Sequence, residues 1–192
     1  LFTSLDSIRY NINRKQKNLK FFEFDKAYSL EEKEYKESSK IGIYITGLKQ
    51  EEHFVNKPEN VSFFDVINIT NKVLNIARIS DFETKPKADS KTLDMCVEII
   101  SNGVVLGEIG MVKKEILKTF EISQDVYHAE IDWPNLIMNF DKEFKFSEIP
   151  KFPQVQRDLS LVMNKDVKYN DVISVIDLNK NKILKKISLY LS

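Results

Sequence analysis

Few side chains in this sequence are of types that do chemistry unaided, and their spacing argues against most of what they could do. His53 lies in a polar stretch and His128 in the apolar run Val126–Ile131. Either could act as a general base, yet no motif supplies a partner nucleophile for either. Cys96 is the single cysteine; it rules out an internal disulfide and a cysteine-cluster metal site, and reads as a small core residue of a reducing compartment. Gly103, Gly107 and Gly110 match neither the dinucleotide nor the P-loop spacing, so turn and close-packing roles are favoured. Glu23 and Asp25 alternate with Phe22 and Phe24, which puts both carboxylates on one side of a strand. A magnesium pair is one reading and a solvated or salt-bridged face the simpler one. Arg157-Asp158 has two open readings: Arg157 on RNA phosphate, or an internal ion pair.

Composition narrows the class. The chain has 192 residues, 42% apolar and 30% charged, as expected of an ordinary globular protein with a sizeable core. Its 29 basic and 29 acidic residues cancel, which argues against strong nucleic-acid binding by this chain alone. No apolar run approaches the roughly 20 residues that span a bilayer. Charge scattered through Leu1–Lys20 is unlike a signal peptide. The expectation is therefore a cytoplasmic protein without membrane association. A first residue other than Met, and an end at Leu189-Tyr-Leu-Ser192 inside an unfinished unit, point to a piece of a longer protein.

Periodicity supplies the elements that must position these residues. Leu1, Leu5, Ile8 and Ile12 form one apolar stripe, predicting an amphipathic helix over Leu1–Asn18. Phe21–Tyr28 and Ile41–Thr46 read as strands of an antiparallel hairpin, joined by a charged, solvated loop at Glu31–Lys40. Ser62 caps a helix whose buried face holds Phe63, Val66, Ile67, Val73, Leu74 and Ala77. Thr84–Ser90 reads as a linker or exposed turn. Leu93–Ile100 and Val104–Ile109 flank the turn Ser101-Asn102-Gly103. A short helix over Met111–Phe120, a strand at Val126–Ile131 and a helix opening at Trp133-Pro134 follow. The pattern defines an α+β domain, residues 1–149, with a boundary in Phe144–Phe152. Beyond it, residues 150–192 read as strand Leu159–Met163, helix Tyr169–Leu178 and strand Ile183–Leu191.

The segment Phe152-Pro-Gln-Val-Gln-Arg-Asp-Leu-Ser-Leu-Val-Met163 resembles the opening of the ferredoxin-fold anticodon-binding domain of the bacterial phenylalanyl-tRNA synthetase β subunit. Upstream, Leu19-Lys-Phe-Phe-Glu-Phe-Asp-Lys-Ala-Tyr28 with its return strand is similar to the first two signature motifs of a class II aminoacyl-tRNA synthetase. Phe63-Phe-Asp-Val-Ile-Asn, Leu106-Gly-Glu-Ile-Gly110 and Ala129-Glu-Ile-Asp132 resemble later stretches of the same module, in the same order. The resemblance implies a C-terminal part of that β subunit: an antiparallel class II-like sheet with flanking helices, then a partial ferredoxin-like β-α-β unit.

What the resemblance implies about chemistry is mostly negative. Active class II domains stabilise the activation transition state with arginines on the second-motif hairpin and on a third-motif helix. Here only Arg9, Arg14, Arg78 and Arg157 exist; none lies between Phe21 and Gly47, nor between Ile79 and Gln156. Lysine is a poor substitute for the bidentate fork. The expected role is subunit assembly and tRNA positioning within a ligase that joins phenylalanine to its tRNA. No catalytic, cofactor-binding or metal residue is assigned here, and ATP and Mg2+ belong to the parent enzyme. Leu5, Ile8, Ile12, Phe22 and Phe24 are expected at an interface with the α subunit in an (αβ)2 assembly, and Arg157 at tRNA. The rivals are a non-enzymatic ferredoxin-like RNA-binding or regulatory module, and an active class II ligase using lysine chemistry.

Overall fold

The computed structural model describes residues 1–31, 34–50, 58–140, 153, 155–164, 166–167, 169–178, 184 and 187. The chain divides into two compact units, Leu1–Lys145 and Phe146–Ser192. His53, all of Phe144–Phe152 and most of Ile183–Leu191 lie outside the described residues.

The first unit is built on one antiparallel sheet. Helix α1 (Phe2–Asn13) precedes a long hairpin, β1 (Leu19–Glu31) and β2 (Glu34–Thr46). Helix α2 (Phe63–Ile76) follows, then β3 (Glu83–Pro86), β4 (Leu93–Ser101), β5 (Val104–Val112), α3 (Lys114–Thr119), β6 (Val126–Asp132) and α4 (Trp133–Met138). The strand order is β1-β2-β6-β5-β4-β3.

Local signals explain most boundaries. Ser62 and Asp65 close a reciprocal capping box on α2. Asn102 and Gly103 both take positive φ, 51° and 76°, as the tight turn between β4 and β5 requires. Asp132 caps α4 by accepting from the Asn135 N–H at 2.9 Å, and Pro134 sits in the first turn, where its missing donor costs nothing.

Three expectations are corrected. Within the charged stretch Glu31–Lys40, Glu31 and Glu34–Lys40 are strand: β1 and β2 stay paired out to Glu31 opposite Glu34. Backbone ladder bonds need no apolar side chains when both faces of a ribbon meet water. Thr84–Pro86 belongs to edge strand β3, where a proline is tolerated because one side of the ladder is open. Met111 and Val112 end β5, and the helix starts only at Lys114.

Two cores flank the sheet. Val66, Leu74 and Leu136 of α2 and α4 pack with Ile43, Ile45, Ile99, Ile109 and Ile131 on one face. On the other, Leu5 and Ile8 of α1 pack with Tyr44, Leu93, Val112, Leu117 and Val126. In the second unit, helix α5 spans Tyr169–Leu178. The expected strand at Leu159–Met163 is not formed: residues 155–164 join no ladder and Leu159, Leu161 and Met163 are exposed.

Candidate docking face and a closed sheet face

Strand alternation gives the β1–β2 hairpin two unlike faces. Register pairs Phe22 with Ile43, Phe24 with Ile41, Tyr28 with Glu37 and Leu30 with Tyr35, so these residues share one face. Ile41 and Ile43 are held against the first core, but β2 meets β6 only from Lys40 to Thr46. Beyond Lys40 the hairpin is a free two-stranded ribbon among the described strands. Tyr28, Leu30 and Tyr35 on this ribbon are left in water, 67%, 63% and 83% exposed, as are Phe22 and Phe24 on edge strand β1, 81% and 57%. The ring of Trp133 meets only the edge of Phe24, at 5.1 Å. The Lys26–Glu37 ion pair, 2.6 Å, interrupts this face, but five large exposed apolar side chains on one ribbon face make it the candidate interaction surface.

The interface residues expected from the sequence therefore separate. Phe22 and Phe24 lie on this open face. Leu5 and Ile8 are completely buried in their own chain, with Ile12 packed at the margin. Their stripe is covered by the chain's own sheet. Arg157 lies in the second unit and is exposed.

The opposite sheet face is closed and acidic. Register sets Glu23, Gly42, Glu130, Glu108 and Glu98 in one row across five strands. Each carboxylate is occupied. Glu23 accepts from the Tyr44 hydroxyl at 2.8 Å and from Ser4 Oγ. Lys40 Nζ lies 3.6 Å from Glu130 and 3.0 Å from Asp132. Lys87 Nζ lies 2.8 Å from Glu108 and 3.1 Å from Glu98, and these two carboxylates hold its pKa above the usual lysine range. Burial pushes the Tyr44 phenol well above its ordinary range. Periodicity could have found this row, but only once the register between five strands was known.

Neither His128 nor Cys96 sits as a reactive group. His128 is buried, stacked on Tyr44, and its Nδ1 faces the Ile43 carbonyl at 3.2 Å. Cys96 is buried, and burial pushes its thiol up to about 11. A Cβ at Gly107 would collide with the Glu130 carbonyl, so that glycine permits close strand approach rather than phosphate binding. Among the described residues no three His, Cys, Asp or Glu side chains are grouped to hold a metal ion. A nucleoside triphosphate fits poorly as well: the sheet presents carboxylates to it, and the hairpin offers no guanidinium.

Solved structures with this architecture include pyrrolysyl-tRNA synthetase from Desulfitobacterium hafniense, at a TM-score of 0.54 and 17% identity over 71% of this chain and 46% of that one. A second structure, of Desulfitobacterium hafniense PylSc, a pyrrolysyl tRNA synthetase, gives 0.53 at 18% identity over 70% and 46%. The first unit thus has the α+β fold of a class II aminoacyl-tRNA synthetase. Residues 1–133 match the family model described as the phenylalanyl tRNA synthetase beta chain CLM domain, and the chain belongs to that family. Among curated relatives, the phenylalanine–tRNA ligase beta subunit of Bacteroides thetaiotaomicron is 29% identical over 99% of this chain and 25% of its own length. That of Bacillus subtilis is 27% identical over 97% and 24%. The chain spans about a quarter of the length of the curated relatives it matches. Among the described residues no helix is long and apolar enough to cross a membrane.

Proposed function

We propose that this chain is an assembly module of a phenylalanine–tRNA ligase β subunit, serving subunit docking and tRNA positioning without performing aminoacylation. The observation that carries this reading is the pairing of a class II sheet with a row of four glutamates, met by only two lysines, and an arginine-free hairpin. A sheet so charged repels the triphosphate whose activation the reaction needs. Lys40 and Lys87, the cations nearest the row, are both engaged by carboxylates, which counts against lysine-based activation.

The docking face is the open side of the hairpin, with Phe22, Phe24 and Tyr35 as anchors for the α subunit in an (αβ)2 assembly. Aromatic anchors of this size supply large contact area at low entropic cost. The parent ligase uses ATP and Mg2+ through its other subunit and works in the cytoplasm. From residue 150 onward the chain opens the anticodon-binding unit, a reading supported by α5 and by exposed Arg157, assigned to tRNA.

Mixing the chain with the α subunit of a phenylalanine–tRNA ligase tests this. Co-elution that is lost in the Phe22→Ser/Tyr35→Ser variant is the expected outcome, with no ATP–pyrophosphate exchange by the chain alone. Exchange by the isolated chain, or unaltered co-elution of the variant, would overturn the reading.

A further inference from the structure

The α1–β1 connection concentrates positive charge that the overall balance conceals. Arg14, Lys15, Lys17 and Lys20 fall within seven residues containing no carboxylate. The turn is held rigidly. Lys15 takes φ 68° and Gly47 φ 85°, and a Cβ on Gly47 would run into the Lys17 carbonyl. Asn18 Oδ1 accepts from the Leu48 N–H at 2.8 Å, and Gln124 Nε2 donates to the Lys17 carbonyl and to Thr46 Oγ1, both at 2.7 Å. Three chain segments are thereby clamped around a surface hollow of about 430 Å3, which Lys15, Lys17, Asn18, Asn60 and Gln124 line.

The charges around this hollow are unequal in a telling way. Lys49, beside it, is neutralised by Glu59 at 2.9 Å and Asp65 at 3.4 Å. Lys20 Nζ donates to the Lys49 carbonyl at 3.3 Å and meets no carboxylate among the described residues. Lys15 and Lys17 are exposed and meet no carboxylate among the described residues. Asp125, next to Gln124 in sequence, is an opposing charge. Next to the hollow, the Arg14 guanidinium lies 3.4 Å above the exposed Tyr10 ring and donates to the Tyr10 carbonyl at 3.2 Å. A cation held flat on an aromatic face, beside free ammonium groups, is the combination that takes both the phosphate and the π-surface of a nucleotide.

We infer that the α1–β1 turn is an RNA-binding site, in which Lys15 and Lys17 hold backbone phosphates and the Arg14–Tyr10 stack receives a base or ribose. A hollow of this size suits one nucleotide, and the amides of Asn18 and Asn60 with Gln124 Oε1 can exchange hydrogen bonds with ribose hydroxyls. A membrane surface is the weaker match, since amides and lysines dominate the lining and Leu48 is the one apolar side chain in it. The inference rests on the proposed placement of this chain within a tRNA ligase, and gives its tRNA-positioning role a location apart from Arg157.

The test measures anisotropy of fluorescein-labelled unfractionated tRNA titrated with the full chain over a series of salt concentrations. Lys15→Gln/Lys17→Gln should weaken binding about tenfold or more and reduce the slope of log affinity against log salt by about 1.4–1.8, two phosphate contacts' worth. The control pair, Lys114→Gln/Lys118→Gln on α3, should change affinity less than about twofold, the scale expected of charges outside the contact. Equal weakening by both pairs would mean diffuse attraction and overturn the site, as would an unchanged affinity of the first pair, absent tRNA binding, or equal loss on anionic phospholipid vesicles. Co-elution with the α subunit, measured in parallel, separates the two readings. A first-pair variant that assembles normally and binds tRNA as the parent does defeats this site alone, whereas failed assembly of the parent chain defeats the docking role alone.

Discussion

Tyr44 and His128 stand opposite one another on β2 and β6, their rings 4.4 Å apart and within 18° of parallel. This stack joins α1 to the middle of the sheet, because the Tyr44 hydroxyl binds the same Glu23 that receives Ser4. It also buries an imidazole. A carbonyl only accepts, so the Ile43 contact places the neutral proton on Nδ1. Burial holds the His128 pKa down at about 4, opposed in part by the Ile43 carbonyl and by Glu108 and Glu23.

That depression sets a pH dependence with a definite sign. The unfolded chain binds a proton near pH 6.5 and the folded one only near 4, so the unfolded state gains protons first as pH falls. The contribution is fully present above about pH 6.5 and fades towards pH 4, by about 3 kcal/mol in total. Urea denaturation across this range should show the slope. His128→Phe, which keeps the stack without the titration, should flatten it; parallel profiles for the two proteins would rule this out.

Much of this arrangement was legible before any coordinates. The three-residue and four-residue steps of Leu5, Ile8 and Ile12 announce a buried helix face, Ser62 a capped start, and Asn102-Gly103 a hairpin turn. What stayed hidden depends on partners distant in sequence. The Leu5 stripe does not say whether its own sheet or another subunit covers it. Charge in Glu34–Lys40 masks a strand because ladder bonds leave no trace in side chains. The glutamate row exists only through register, and the hollow beside Lys15 only because Gly47 and Gln124 return to the α1–β1 turn.

Asp132 bears two loads, and substitution should divide them. Its Oδ1 caps α4 through the Asn135 N–H, while Oδ2 accepts from Lys40 at 3.0 Å and Ser38 at 3.1 Å. Burial works to raise its pKa, but the Asn135 N–H and Lys40 together outweigh it and leave the carboxyl below its usual range. Its contribution is thus present above about pH 4 and lost as pH falls through the depressed folded value. Asp132→Ala should cost about 1–2 kcal/mol at pH 7, the range for a lost N-cap, whereas Asp132→Asn keeps an acceptor and should cost less. Urea midpoints of the two variants decide it; equal losses would assign the effect to the ion pair.

Gly47 joins the end of β2 to the α1–β1 turn at a distance no side chain permits. Its φ of 85° is one that L residues rarely adopt, and the Lys17 carbonyl occupies the space of a Cβ. Gly47→Ala should destabilise the unit by about 1–3 kcal/mol, the cost of a strained backbone at one residue. Thermal unfolding should register the loss, and Gly103→Ala offers a contrast. Gly103 also has positive φ, 76°, but nothing lies within 4 Å of its added methyl. The smaller loss should belong to Gly103; the reverse order would mean that the close approach at Gly47 carries no energy.

Cys96 tests the closure of the sheet face by chemistry rather than stability. Its Sγ lies under the second core and 3.8 Å from Glu108 Oε2. Burial and then the Glu108 charge push the thiol up to about 11, against a usual value near 9. At pH 8 the thiolate fraction is then on the order of one in a thousand, and the thiolate is the nucleophile. Iodoacetamide should therefore modify the folded chain very slowly, and rapidly once urea exposes the residue, as read by intact mass. Glu108→Gln removes the nearby negative charge, so it should speed native alkylation while leaving the unfolded rate alone. Fast modification of the native parent chain would show that α1 and α3 open from the sheet more readily than their buried side chains imply.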